Sequence, residues 1–117
     1  MCLINAKVKE VTEDIACYKV YLRQKNMLIS PYQRSLAPEF NTVAKTDLGE
    51  INEGYYVYKG FHSFVKLEDA KNEARDQFRH IPIVVKCIIP KGAKCYVGQF
   101  GDKISYCSDS IKLVKIC

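Results

Sequence analysis

Ile83-Val84-Val85-Lys86-Cys87-Ile88-Ile89 decides the fold, because it is apolar at every position but Lys86, mostly β-branched, and closed by the turn residues Pro90-Lys91-Gly92. Such a run reads as a central strand covered on both faces. The segment before it has a helical period. Leu67, Ala70, Ala74 and Phe78 recur at intervals of three and four, which puts them on one face. Glu68, Asp69 and Glu73 load the N-terminal half with negative charge, and Arg75 and Arg79 load the C-terminal end with positive charge, as the helix dipole favours. The pattern predicts a helix over about 66–79, capped by Ser63 or the residues just after it and stopped by Pro82.

Outward from this pair, the chain reads mostly as strands. Ala16-Cys17-Tyr18-Lys19-Val20-Tyr21-Leu22 is aromatic and β-branched, Gln24-Lys25-Asn26 is a polar turn, and Met27-Leu28-Ile29-Ser30 resumes the strand up to Pro31. From Gln33 to Asn52 the pattern weakens and reads as irregular structure. Tyr55-Tyr56-Val57-Tyr58 and Phe61-His62-Ser63-Phe64 read as extended, separated by Lys59-Gly60. Cys95-Tyr96-Val97, Ile104-Ser105-Tyr106 and Ile111 to Ile116 complete the set, with a Gly-flanked turn from Gly98 to Asp102. The expected fold class is α+β, a mostly antiparallel β-sheet with one main α-helix (about 66–79) packed on it, in a single domain spanning 1–117.

Composition narrows the class further. With 48% hydrophobic and 26% charged residues, the 117-residue chain matches an ordinary globular domain rather than a disordered one. The longest apolar run, from Ile81 to Pro90, is about half of the ~20 residues that a membrane-spanning helix needs. The N-terminal stretch lacks the pattern of an export signal, so a cytoplasmic location is expected. Six cysteines (Cys2, Cys17, Cys87, Cys95, Cys107, Cys117) then read as reduced thiols, several serving as small apolar strand residues. Their spacing offers no zinc pattern, and no metal or cofactor is expected.

Charge is uneven along the chain. Residues 1–58 carry seven Lys/Arg and seven Asp/Glu, whereas residues 59–117 carry eleven and six, so the whole net charge of +5 falls in the second half. Such an excess suits an anionic partner. No arginine cluster or dense basic run is present, which argues against a dedicated DNA binder.

Several residues are candidates for a binding site. His62 lies in Tyr58-Lys59-Gly60-Phe61-His62-Ser63-Phe64, the more structured setting of the two histidines, and imidazole titrates near neutral pH. A hydrogen-bonding role in a strand edge fits the same residue. Ser108-Asp109-Ser110 offers an acid that would orient a ligand hydroxyl or a histidine, yet it also fits turn chemistry. Ser30-Pro31-Tyr32-Gln33 presents a hydroxyl, a phenol and an amide at a strand end, and Tyr18, Tyr21, Tyr55, Tyr56 and Tyr58 suit either base stacking or strand packing. The candidate ligand-binding set is His62, Ser63, Lys59, Tyr32, Ser108 and Asp109; no residue is assigned a catalytic role.

The order Gly60-Phe61-His62-Ser63-Phe64, Glu68-Asp69-Ala70, Val85-Lys86-Cys87-Ile88-Ile89-Pro90-Lys91-Gly92-Ala93, Tyr96, Gly98, Ser108-Asp109 and Ile111, with Ser30-Pro31-Tyr32-Gln33 upstream, resembles a family of small uncharacterised domains carried by bacteria and their phages. That resemblance implies a phage or mobile-element setting, in which short basic proteins inhibit or sequester host components. The aromatic-Gly-Phe segment ahead of a helix with an Asp-Ala pair is also similar to ADP-ribosyltransferase-like folds. Those enzymes need a late glutamate, but here the last one is Glu73, followed only by Asp76, Asp102 and Asp109. The second resemblance therefore implies a nucleotide site without the transferase glutamate.

Together these features point to a non-catalytic protein that binds an anionic, nucleotide-like small molecule or inhibits a host protein. The alternatives are a transferase or hydrolase acting on NAD or a nucleotide through His62 and Asp109, and a structural or virion-associated module.

Overall fold

The computed structural model describes residues 3–31, 35–51, 56–76 and 81–117. Among these, the chain forms eleven strands and one helix: β1 (Leu3–Glu10), β2 (Ile15–Gln24), β3 (Met27–Ile29), β4 (Val43–Lys45), β5 (Gly49–Ile51), β6 (Tyr56–Lys59), β7 (Phe61–Phe64), α1 (Leu67–Arg75), β8 (Ile81–Ile89), β9 (Lys94–Phe100), β10 (Lys103–Ser108) and β11 (Ser110–Ile116). All belong to one antiparallel sheet with the order β4-β11-β8-β2-β7-β10-β9-β1-β6-β5, and β3 pairs with β2 off this path. The architecture is thus a mostly antiparallel sheet with one short helix. No helix among the described residues is long and apolar enough to cross a membrane.

The decisive stretch, β8, is an interior strand of this order, between β11 and β2. β8 pairs with β2 over nine positions, from Ile15↔Ile89 to Arg23↔Ile81, and with β11 on its other side. Both faces of the pair are covered. On one face Val20, Phe64, Ala70 and Ala74 pack with Tyr18 and Val84 beneath α1. On the other, Cys17, Tyr21, Val85, Cys87, Ile89, Ile111 and Leu113 form the largest cluster, joined by Cys95 from β9. Cys17, Cys87, Cys95 and Cys107 are buried free thiols, used as small apolar residues.

The helix is shorter than its period suggests. It runs from Leu67 to Arg75, and the predicted continuation through Phe78 and Arg79 lies in residues 77–80, outside the described residues. Lys66 holds the cap position without a side-chain cap bond. Ser63 does not cap it, because it is fully buried in β7.

Two expected loops are strands. The region read as irregular contains β4 and β5, each only three residues long and therefore too short for periodicity to reveal. They exist because β11 and β6 offer them partners. The expected turn from Gly98 to Asp102 is confined to Gly101 and Asp102, where Gly101 adopts φ 63°, and Gly98 to Phe100 continue β9. β1, to which the periodicity assigns nothing, pairs with β6 and β9.

The sheet's two ends are adjacent in the chain. β4 begins the strand order and β5 ends it, yet Lys45 and Gly49 are separated only by Thr46, Asp47 and Leu48. A sheet whose first and last strands are so joined must curl toward itself, a bend that strand twist favours. The junction is fastened by hydrogen bonds from Thr46 N–H to the Asp109 carbonyl (2.8 Å) and from Asp109 N–H to the Lys94 carbonyl (3.0 Å).

Gly60 makes the corner that lets β6 pair with β1 while β7 pairs with β10. It adopts φ 146°, and a Cβ there would lie 2.5 Å from Cys107 Sγ and 2.6 Å from Leu48 Cδ2. Gly92 also has positive φ, 86°, but its Cβ would meet nothing within 4 Å. Gly60→Ala is expected to destabilise the fold by roughly 2 kcal/mol or more, and Gly92→Ala by about 1 kcal/mol, in urea unfolding. Equal losses in the two variants would contradict the crowding described at Gly60.

Candidate anion-binding groove

β2 alternates its faces, so Cys17, Lys19 and Tyr21 point one way and Tyr18 and Val20 the other. Cys17 and Tyr21 enter the main core, and Tyr18 and Val20 pack under the helix. Lys19 is therefore a cation placed in the inward row of a central strand. Its Nζ donates a 2.6 Å hydrogen bond to the His62 carbonyl oxygen and lies 5.5 Å from the centroid of the Tyr21 ring. That distance is within the range of a cation–π contact. Desolvation by burial pushes the Lys19 amine below its ordinary pKa.

Lys19 and Tyr21 line a cavity of about 360 Å³ with Lys45 from the end of β4, Lys59 from the end of β6, and Ser30, Ser35 and Thr46. Leu36, Pro38 and Phe61 supply apolar wall. No described carboxylate lines it. The groove arises because the curled sheet brings together β4 and β6, from either side of the junction, over the middle of β2.

His62 takes a different role from the one its residue type suggests. It is 7% exposed in β7, with Nε2 3.4 Å from the Tyr58 carbonyl oxygen and 3.7 Å from Cys107 Sγ. Nδ1 has no hydrogen-bond partner among the described residues. Burial, aided by the charge of Lys19, lowers its pKa to about 4. The ring is consequently neutral at neutral pH, and the expected proton-transfer chemistry near pH 7 does not fit it. Nor is the Cys107–His62 contact a nucleophile and base, because burial pushes the Cys107 thiol up to about 12. His62 serves the groove through its carbonyl.

The other candidates separate. Lys59 lines the groove. Ser63 is fully buried, and its Oγ has no partner among the described residues. Tyr32 lies outside the described residues, although Ser30 and Ser35 on either side of it line the groove. Ser108 is buried and donates to the Ser110 carbonyl oxygen at 3.0 Å. Asp109 accepts from Lys94 N–H and from Ser110 Oγ, both at 3.0 Å, and borders another cavity with Asp47, Glu50, Lys94 and Tyr96. The structure thus joins Lys59 and the His62 backbone to one groove and leaves Ser108 and Asp109 to the sheet junction.

Of the described residues lining the groove, Lys59 alone belongs to the candidate set; Tyr21 and Ser30 read from the sequence only as stacking and strand-end groups, and Lys19 and Lys45 are not candidates. Lys19 had a signal, being the one charge in Ala16–Leu22, a strand otherwise apolar at nearly every position. Lys45 had none. Two of the three groove lysines come from the electrically balanced first half, so the charge asymmetry along the chain does not map the groove. Comparison with family models, curated proteins and solved structures finds no match to this chain.

The buried imidazole has a consequence for stability. Its folded-state pKa of about 4 lies below the ordinary 6.5, so between these values the unfolded chain binds a proton that the folded chain does not. Stability is then fully present above pH 6.5 and falls as pH falls toward 4, by roughly 3 kcal/mol from this group. Urea unfolding across pH 4.5–7 should show a shallower pH slope for His62→Gln than for the wild type. Identical slopes would remove the claim.

Proposed function

We propose that the protein is a non-catalytic binding module for a small anionic ligand, nucleotide-like in size and charge, held in the groove of Lys19, Lys45 and Lys59. The observation that carries this reading is the convergence of three lysines on one cavity with no described carboxylate among its lining residues. Cations gathered with no described counter-ion repel one another, and Lys19 is also desolvated, a cost that a bound anion offsets. Lysine serves phosphate as a compact point charge, and hydroxyls such as Ser30, Ser35 and Thr46 add hydrogen bonds. About 360 Å³ lies within the range of small-molecule pockets. The buried Tyr21 ring and the partly buried Phe61 ring, both lining the groove, suit the planar part of such a ligand.

The same features weigh against a transferase or hydrolase working through His62 and Asp109. The imidazole is neutral and enclosed, and Asp109 is engaged with Lys94 and Ser110 at the sheet junction. No glutamate is among the described residues lining the groove.

Thermal-shift measurements with AMP, ADP, a cyclic nucleotide, phosphate and diphosphate test the proposal. At a hundredfold excess over its Kd, the true ligand class stabilises the chain by about 2.7 kcal/mol, and the effect weakens as salt is raised. Lys45→Ala and Lys59→Ala are each expected to weaken binding roughly tenfold. A set of chemically varied anions that leaves the melting temperature unmoved would defeat the proposal. Lys19→Met is expected to abolish binding while stabilising the ligand-free chain by about 1 kcal/mol, because a poorly compensated inward cation is removed. A destabilised Lys19→Met chain with binding intact would assign Lys19 to the core alone.

A further inference from the structure

We infer that the ligand of this groove carries a carbonyl group, which Lys19 captures as a reversible imine. The inference rests on the anion-binding reading above and specifies what the ligand's reactive end is. It begins from the unequal placement of the three lysines. Lys45 and Lys59 are exposed residues at strand ends, where a protonated amine attracts an anion at little cost. Lys19 is on the inward row of β2, with its Nζ tied to the His62 carbonyl and set against the Tyr21 ring. For charge attraction alone, that position is the poorest of the three, since burial disfavours the ammonium form. For nucleophilic attack it is the best. Desolvation is the established way to give a lysine a usable lone pair, and a fixed amine loses less entropy on reacting.

Other nucleophiles nearby are unsuited. Cys107 and Cys87 are fully buried, and both thiols are shifted upward, Cys107 chiefly by burial and Cys87 by its hydrogen bond with Cys17 and then by burial. Among the described residues, no base is hydrogen-bonded to the side chains of Ser30, Ser35 or Thr46, and unactivated alcohols are weak nucleophiles. Cys17, on the same row of β2, has its thiol lowered by its hydrogen bond with Cys87, but it is fully buried and does not line the groove. Among the described residues, Lys19 is thus the inward nucleophile that the groove reaches.

The division of labour follows. Lys45 and Lys59 hold the anionic end of the ligand and so present its carbonyl to Nζ. The neutral amine attacks the carbonyl carbon, forming the C–N bond as the carbonyl π pair moves to oxygen, which takes up a proton. The carbinolamine then loses water, with one amine proton leaving to solvent, so amine plus carbonyl gives imine plus water. No oxidant or reductant enters. Hydrolysis reverses the step, which makes it a mode of capture and release rather than turnover.

Two anionic aldehydes of different size, pyridoxal 5′-phosphate and glyoxylate, test the inference against their alcohol counterparts, pyridoxine 5′-phosphate and glycolate. The protein is incubated with each aldehyde near pH 7, any imine is fixed with borohydride, and the modified peptide is identified by mass spectrometry. At substoichiometric aldehyde, at least one probe is expected to label Lys19 tenfold or more in preference to any other lysine. Lys59→Ala lowers the yield several-fold without moving the adduct. Lys19→Arg keeps the cation, so it binds the alcohol counterpart and gives no groove adduct. Label scattered over exposed lysines, or concentrated on Lys45 or Lys59, overturns the imine, and stabilisation by the alcohols in that case leaves the anion groove standing. If neither aldehydes nor alcohols stabilise or label the chain, both readings fall together. The wild-type adduct map decides the matter even if Lys19→Arg does not fold.

Discussion

Nine consecutive residue pairs tie β2 to β8, and that ladder carries β11, β3, β7 and the helix directly. β8 carries β11 on its free side, β2 carries β3 at one end and meets β7 at Tyr18↔Phe64, and α1 lies across the same face. Because the side chains alternate, the pairing also divides the interior into a helix side and a larger side that holds Cys17, Tyr21, Val85, Cys87 and Ile89. A slip of one residue would exchange these two sets and set Lys19 against the helix. The register is therefore what aims Lys19 toward the groove.

The second constraint is the short connection between the ends of the sheet. Joining β4 to β5 through Thr46, Asp47 and Leu48 forces the curl, and Asp109 secures it with its backbone and its carboxylate. This is a structural use for the acid that the chain pattern offered as a ligand group. The curl brings Lys45 and Lys59 over the β2 lysine, so a feature of chain connectivity creates a feature of charge. His62 lies where these two constraints meet. Its carbonyl holds Lys19, and its ring is buried beside Cys107, so the backbone of this residue rather than its imidazole meets the groove lysine.

The site was only partly legible in the chain. Lys59 belonged to the candidate set and lines the groove, and the stretch around His62 was singled out, although for its ring rather than its carbonyl. Lys19 stood out as a lone charge between apolar neighbours, but a lysine in a strand also fits a wet face, as Lys115 in β11 shows by its exposure. Nothing local distinguishes the two cases. What distinguishes them is whether another layer of protein stands over that face, which depends on residues as distant in the chain as Lys45, Lys59 and Phe61.

By itself the sequence determined the local structure: the helical period that produces α1, the apolar β-branched run that becomes β8, the hairpin of β2 and β3, and the mostly antiparallel class. These follow from short-range steric preferences and from the periods of helix and strand, which any window of ten residues carries. Only the tertiary structure decided that three-residue segments at 43–45 and 49–51 are strands, that the sheet's ends adjoin, and that Lys19, Lys45 and Lys59 share one cavity. The physical reason is that pairing and burial are properties of surfaces in contact. Residues 19, 45 and 59 acquire a common environment only after strand order and register are set, and neither is written in the local preferences of any one of them.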